Sequence, residues 1–227
     1  MVKPLAGIRI LAIEQFGAGP YGSMYLAELG AEVIKVEPLP DGDPLRTWKQ
    51  GGESTFWKVY SRNKKSIGLD FRSPDFKEII RHLIESADVM IENFRPGTLE
   101  EMGFGFDRLK QINPKLILLR ISGFGQTGPY AARPGYDGLI QAMGGVMALT
   151  GEPNGEPMKV GVPIGDLMAG MFASVGILAA VRHQITTGKG QFIDIGMLDT
   201  HIAWLANQGM NYLSTEDDRK VAADGLR

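Results

Sequence analysis

The sequence contains no cysteine. That absence excludes disulfides, a thiolate nucleophile and every cysteine-based metal site, and it suits a reducing, cytoplasmic compartment. Only three histidines are present, His82, His183 and His201. None has the spacing of a metal ligand pair, so no metal is expected. An excess of one charge is also missing. The 24 basic and 26 acidic residues leave a net charge of −2, which gives no field to draw nucleic acid or an anionic membrane. An anionic ligand must therefore be held by local groups. Long hydrophobic runs are scarce as well. The most apolar segment, Leu167 to Val181, is uncharged but interrupted by Gly170, Ser174 and Gly176. It falls short of the roughly 20 apolar residues that span a bilayer, so a buried core helix is expected there. The opening MVKPLAGIRI lacks the apolar h-region of a signal peptide. These absences together predict a soluble cytoplasmic protein.

What is present is an alternation of strand and helix signals. IRILAIE (8–14) is a continuous apolar run of the kind found in buried parallel strands. Pro20 then stands where a first helical residue would, leading YGSMYLAELG, and Gly30 stops that helix. AEVIKVE (31–37) reads as the second strand and PLPDGDPLRTW as a long loop. KKSIGLDF reads as the third strand. It leads into a helix capped by Ser73, with Pro74 in the first turn and Phe76, Ile79, Ile80, Leu83, Ile84 and Ala87 at helical spacing. ADVMIENF and KLILLRIS supply two further strands. A glycine-rich loop, 123–138, a helix LIQAMGGVMALTG, the long apolar helix from Asp166 to about 185, and a last helix through Trp204 and Tyr212 follow. This grammar predicts an α/β fold with a doubly wound, mostly parallel sheet and ligands at the strand ends.

Between the first strand and helix lies EQFGAGPYGS, in which Gly17-Ala18-Gly19-Pro20-Tyr21-Gly22 matches G-x-G-x-x-G. Glu37 ends the second strand where a ribose-binding acid belongs, so a nicotinamide oxidoreductase is one reading. Any strand that turns sharply into a helix packed on it produces the same spacing, and Pro20 removes an N–H that a pyrophosphate would use. The residues alone leave both open.

The ordered blocks AGP, GAEVIKVEP, NKKSIGLDF, ENFRPGTLEEMG, ISGFGQTGPYAARPGYDGLIQAMGG and VGVPIGDLMAGMFA run along essentially the whole chain. They closely resemble the class III CoA-transferase family, which includes formyl-CoA and carnitine-type CoA-transferases. The resemblance implies a Rossmann-like large domain, here residues 1–213, with 214–227 a charged tail or the start of a linker to a second domain. It also implies an interlocked homodimer. The implied substrates are an acyl-CoA and a small carboxylic acid, with coenzyme A as substrate rather than as a tightly bound cofactor.

By the same resemblance, Asp166 in PIGDLMAG is the nucleophile. On residue type alone an aspartate before an apolar helix is first of all an N-cap. Gly165 beside it leaves room for a thioester, and the helix start is expected to favour the ionised, attacking form. Tyr136 and Gln15 are expected to line the acyl pocket. Phe16, Gly17, Ala18, Leu69, Arg72, Asn93, Phe94, Arg95 and Arg133 are expected to hold coenzyme A. A sister branch, the α-methylacyl-CoA racemases, uses a histidine in a Gly-His-Asp block. Here that block is Gly135-Tyr136-Asp137, which breaks the proton-transfer pair and favours transfer over isomerisation.

Two departures narrow the substrate. Formyl-CoA transferases carry glutamine in place of Gly17, so formate and oxalate are disfavoured and a dicarboxylic or branched acid is expected. Pro38 stands where some members have a CoA-binding arginine, for which Arg46 is a substitute. The small residues Ala169, Gly170, Ala173, Ser174 and Gly176 offer a further reading, a non-catalytic chain whose helices pack closely in a dimer.

Overall fold

The computed structural model describes residues 2–48, 52–152 and 155–215. In chain order the elements are β1 (Arg9–Ile13), α1 (Ala18–Glu28), β2 (Glu32–Pro38), a 3₁₀ turn (Pro44–Thr47), α2 (Thr55–Tyr60), β3 (Lys64–Leu69), α3 (Phe76–Glu85) and β4 (Val89–Glu92). Then come α4 (Thr98–Glu101), α5 (Phe106–Ile112), β5 (Ile117–Ser122), α6 (Asp137–Met143), α7 (Val146–Leu149), α8 (Ile164–Thr187), β6 (Phe192–Gly196), α9 (Met197–Ala203) and α10 (Asn207–Thr215).

The six strands form one sheet in the order β3-β2-β1-β4-β5-β6, and every neighbouring pair is parallel. Strands buried on both faces need apolar side chains on both, which is why β1, β4 and β5 read as continuous runs. Ile10, Ala12, Val89 and Ile117 face one core, shared with Leu26 of α1 and Ala169, Ala173 and Ile177 of α8. Leu11, Ile13, Met90 and Leu118 face the other, shared with Ile80 and Ile84 of α3 and Leu109 of α5. The strand order reverses between β1 and β4, and in such sheets the crevice beyond the strand ends at that point is where ligands bind.

Several boundaries differ from the sequence reading, each for a local reason. Helix α1 starts at Ala18, with Gly17 as its N-cap. Pro20 therefore lies inside the first turn, where its missing N–H has no intrahelical acceptor anyway. Helix α3 is capped by Asp75 without a side-chain bond, while the Ser73 hydroxyl accepts from the Asp75 N–H (3.3 Å) in the turn before it. Gly145, with φ +87°, splits the expected single helix into α6 and α7. QFIDIGML contains β6, and Ala206 at φ +47° divides the last helical stretch into α9 and α10. The 3₁₀ turn and α2, α4 and α5 were not expected, because their apolar patterns are too short to show a period. The charged tail expected over 214–227 lies, from residue 216 onward, outside the described residues.

Helix α8 is buried along one side only. Ala169, Gly170, Ala173, Ser174, Ile177 and Ala180 are covered, whereas Met171, Phe172, Val175, Leu178 and Ile185 are exposed. Within this chain, Gly170 and Ser174 of the small-residue stripe pack against α1. A Cβ on Gly22 of α1 would lie 2.8 Å from the Gly170 carbonyl oxygen, and one on Gly170 would lie 2.7 Å from that of Ala18. The Ser174 hydroxyl donates to the Gly22 carbonyl (3.1 Å), fastening the crossing. This close approach sets where both helix starts fall. Gly22→Ala should overpack the crossing and lower the unfolding free energy by about 1–3 kcal/mol, read from urea denaturation. A variant as stable as the parent would show that the two helices do not meet there.

Candidate active site

Side chains from the strand ends and the starts of α1, α6 and α8 enclose a cleft of about 730 Å³, a size suited to a small-molecule ligand. It is lined by Gln15, Phe16, Gly17 and Ala18, by Asn93, Phe94 and Arg95, and by Arg133, Tyr136, Asp137 and Asp166. Of the residues expected to bind substrate, two lie elsewhere. Leu69 is buried in the core shared by α3 and β2 and does not line the cleft. Arg72 is exposed beyond the end of β3 and does not line the cleft.

Asp166 is not the N-cap of α8. The helix begins at Ile164 after Pro163, which puts Asp166 in the first turn. The capping role falls to Asp137, at the start of α6. Its Oδ1 accepts from the N–H of Gly165 (2.8 Å) and of Asp166 (3.4 Å), and its Oδ2 accepts from the buried Gln141 amide (2.8 Å). Gln141 in turn accepts from the Val160 N–H (2.8 Å), tying down the segment that leads into α8. The Asp166 carboxylate is left without a hydrogen bond from the described residues. Gly165 serves this joint, since a Cβ there would lie 3.1 Å from Asp137 Oδ1. The glycine that clears space at the carboxylate is Gly17, where a Cβ would lie 2.3 Å from Asp166 Oδ2. That places the N-terminal turn of α1, uncapped by any side chain, beside Asp166.

Burial, and after it the negative charge of Asp137, pushes Asp166 up to about 7. This reverses the expectation that the helix start favours the ionised form. Desolvation in the cleft outweighs the helix end. Burial, followed by the charges of Asp166 and Asp137, also raises the Tyr60 phenol above its ordinary value. A protonated hydroxyl therefore stands in the cleft wall.

The loop Gln15–Gly17 is held from several sides. The Asn93 side chain accepts from the Gln15 N–H (2.9 Å) and donates to the Gln15 carbonyl (2.7 Å). Its contribution is thus to hold this loop, a use the sequence did not show. Phe16 adopts φ +61° and its ring meets Trp48 (6.0 Å) and Tyr136 edge-on (6.4 Å). Trp48 continues to Phe56 (6.1 Å) and Phe56 to Tyr60 (6.3 Å), making an aromatic wall. Trp48, Phe56, Tyr60, Asp137 and Lys159 line the cleft and were missed as ligand-facing groups. The only signal for Asp137 was its place in the Gly-Tyr-Asp block. At the rim stand the exposed cations Arg95, Arg133 and Lys159, with Arg133 stacked over Tyr130 at 4.2 Å.

Glu37 is closed to a ribose. It is buried, it accepts from Arg46 through both oxygens (2.7 and 2.9 Å), and it also accepts from Ser66 (2.5 Å) and the Asp43 N–H (2.9 Å). Burial pushes it up, but these bonds outweigh burial and hold it at about 2. The dinucleotide reading loses its key acid. Arg46 is committed to the same pair and stacks on Trp57 at 3.6 Å, so as the substitute expected opposite Pro38 it is already engaged.

Residues 5–225 match the model of CoA-transferase family III. The chain belongs to that family. It is 44% identical over 216 residues to a succinyl-CoA–D-citramalate CoA-transferase of Chloroflexus aurantiacus, covering 94% of this chain and 54% of the relative. It is 42% identical to the succinyl-CoA:glutarate CoA-transferase of Homo sapiens, over 96% of this chain and 51% of that one. Among solved structures, a CAIB/BAIF family protein from Brucella suis superposes with a TM-score of 0.91 at 44% identity, covering 96% of this chain and 59% of that chain. The chain thus spans about half the length of the curated relatives it matches. Both family membership and the Rossmann-like parallel sheet agree with the sequence reading.

The raised pKa of Asp166 has a stability consequence. Folded protein holds the proton more tightly than the unfolded chain, so the site's contribution to stability falls as pH rises from the ordinary 3.8 to about 7. Asp166→Asn should match the parent at about pH 4 and be progressively more stable than it up to about pH 7, by urea midpoints. A difference independent of pH would contradict a desolvated carboxyl.

Proposed function

We propose that this chain carries the nucleophile and coenzyme A site of a class III CoA-transferase that moves coenzyme A between an acyl-CoA and a dicarboxylic acid. The observation that carries the reading is a cleft carboxylate, Asp166, relieved of helix capping by Asp137 and approached closely by Gly17. The relatives named for succinyl-CoA with citramalate or glutarate support a dicarboxylic pair, with succinyl-CoA as donor. Residues 1–213 act as one coenzyme A-binding domain in a cytoplasmic homodimer, whose partner covers the apolar side that α8 leaves exposed.

In the first step ionised Asp166 attacks the thioester carbonyl carbon. The tetrahedral intermediate collapses to a mixed anhydride and coenzyme A thiolate. The thiolate attacks the aspartyl carbonyl, releasing the donor acid and leaving an aspartyl-CoA thioester. The acceptor carboxylate then attacks that thioester, giving a second anhydride and thiolate. Attack of this thiolate on the acyl carbonyl forms the new acyl-CoA and restores the Asp166 carboxylate. The developing oxyanion is offered the positive end of α1 and the Tyr60 hydroxyl. Arg95, Arg133 and Lys159 suit phosphates or the far carboxylate, and the aromatic wall suits the apolar parts of the ligand. One thioester replaces another, so the barrier lies in bringing anions together in a desolvated site.

Because the attacking group is the carboxylate, kcat/KM for transfer from succinyl-CoA to glutarate by the full-length protein should rise with pH to a plateau above about 7. Asp166→Asn should lower transfer by about 10⁴-fold or more. A profile without that limb, or an active Asp166→Asn, would refute the assignment. Exchange of the α-proton of an acyl-CoA without transfer would replace it with isomerisation.

A further inference from the structure

Beneath the loop Gln15–Gly17 lies a cluster of four charged side chains that the reaction does not use. Lys35 is fully buried on β2 and donates to the carbonyl of Glu14 (2.6 Å). It also pairs with Asp43 at 2.8 Å, both side chains being almost completely shielded from solvent. Asp43 Oδ1 accepts from the N–H of Phe16 (3.4 Å) and of Leu45 (2.9 Å). Lys64, at the start of β3 with its side chain 1% exposed, donates to Glu14 Oε1 (2.9 Å), to the Pro20 carbonyl (2.9 Å) and to Ser23 Oγ (2.6 Å). Two acids and two bases make the cluster neutral, as buried charge must be. Charges this deep are held at a desolvation cost that apolar side chains of the same size would avoid. Their presence calls for a use.

The bonds converge on one short stretch of backbone. Glu14 C=O is claimed by Lys35, Gln15 N–H and C=O by Asn93, and Phe16 N–H by Asp43. In the middle of this stretch Phe16 sits at φ +61°, a conformation that a bulky residue keeps only where its surroundings over-determine it. The residue after it is Gly17, against which the Asp166 carboxylate rests. Lys64 fixes the other end by holding Pro20 and Ser23 of α1.

We propose that Glu14, Lys35, Asp43 and Lys64 form a buried electrostatic clamp that sets the loop Gln15–Gly17, and with it the first turn of α1, at the correct distance from Asp166. These are positioning residues, and the proposal rests on the transferase reading. None of the four needs to touch substrate. Their effect is carried by the backbone of the loop, where a displacement of the order of 1 Å is enough to cost about 100-fold in rate.

The test is the charge-balanced variant Lys35→Met/Asp43→Asn, alongside Lys35→Met alone. The single variant leaves Asp43 unpaired in the interior and risks unfolding. The double variant removes the pair together and keeps a side-chain oxygen for the Leu45 N–H. Lys65→Met, whose ammonium is exposed and, among the described residues, pairs with Glu32 at the surface, is the control. In full-length protein the double variant should fold, lose about 100-fold in kcat per folded molecule, and exchange the Gln15 and Phe16 amide hydrogens about tenfold faster or more. Protection in β1 proper should not change, and Lys65→Met should match the parent in both readouts. Wild-type kcat in the double variant, or wild-type protection of the two amides, overturns the clamp. Inactivity of the parent protein would refute the transferase reading instead, leaving amide exchange to decide the clamp.

Discussion

The site depends on one hydrogen-bonded joint, that between Asp137 and the first turn of α8. A helix start leaves amides that some oxygen must satisfy, and the nearest acid in sequence is the usual provider. Here an acid from α6 takes the Gly165 and Asp166 amides. Asp166 is thereby spared that duty and its carboxylate is left facing the cleft. Burial of Asp166 in the cleft, and after it the negative charge of Asp137 that the joint brings close, push its carboxyl up to about 7. A carboxyl poised in that way contributes less to stability as pH rises toward 7.

The surrounding architecture serves the same point. The sheet reverses its order between β1 and β4, which opens the crevice. Gly22 and Gly170 let α1 and α8 approach until backbone meets backbone, and Gly17 admits the carboxylate at the end of that crossing. Asn93 from one side of the switch point and Lys35 and Asp43 from the other hold the loop between them. Rigid strands thus supply the frame and polar side chains set the loop. The cations that line the cleft, Arg95, Arg133 and Lys159, are solvent-exposed, where solvent can screen their repulsion.

Much of the fold was legible because parallel strands buried on both faces announce themselves as unbroken apolar runs, and because long amphipathic helices such as α3 show their period. β6 was not, since FIDIG alternates exposure at the sheet edge and is only five residues long. At the site, the blocks around Asp166, Tyr136, Gln15 and Asn93 pointed to the cleft that the fold encloses. Two kinds of information were absent from them. The capping exchange between Asp137 and Asp166 is a contact across 29 residues that no local pattern encodes. The burial of Leu69 and the engagement of Glu37 by Arg46 depend on how neighbouring strands and loops close over them. Side-chain type at a strand end therefore located the crevice without saying which groups remained free to bind.

The most direct test is to incubate full-length protein with succinyl-CoA, quench it, digest it and weigh the peptide that contains Asp166. The account expects that peptide to gain the mass of coenzyme A less one water, and to lose the adduct when glutarate is added before the quench. An unmodified Asp166 peptide from protein that is turning over, or an adduct on another residue, would contradict it.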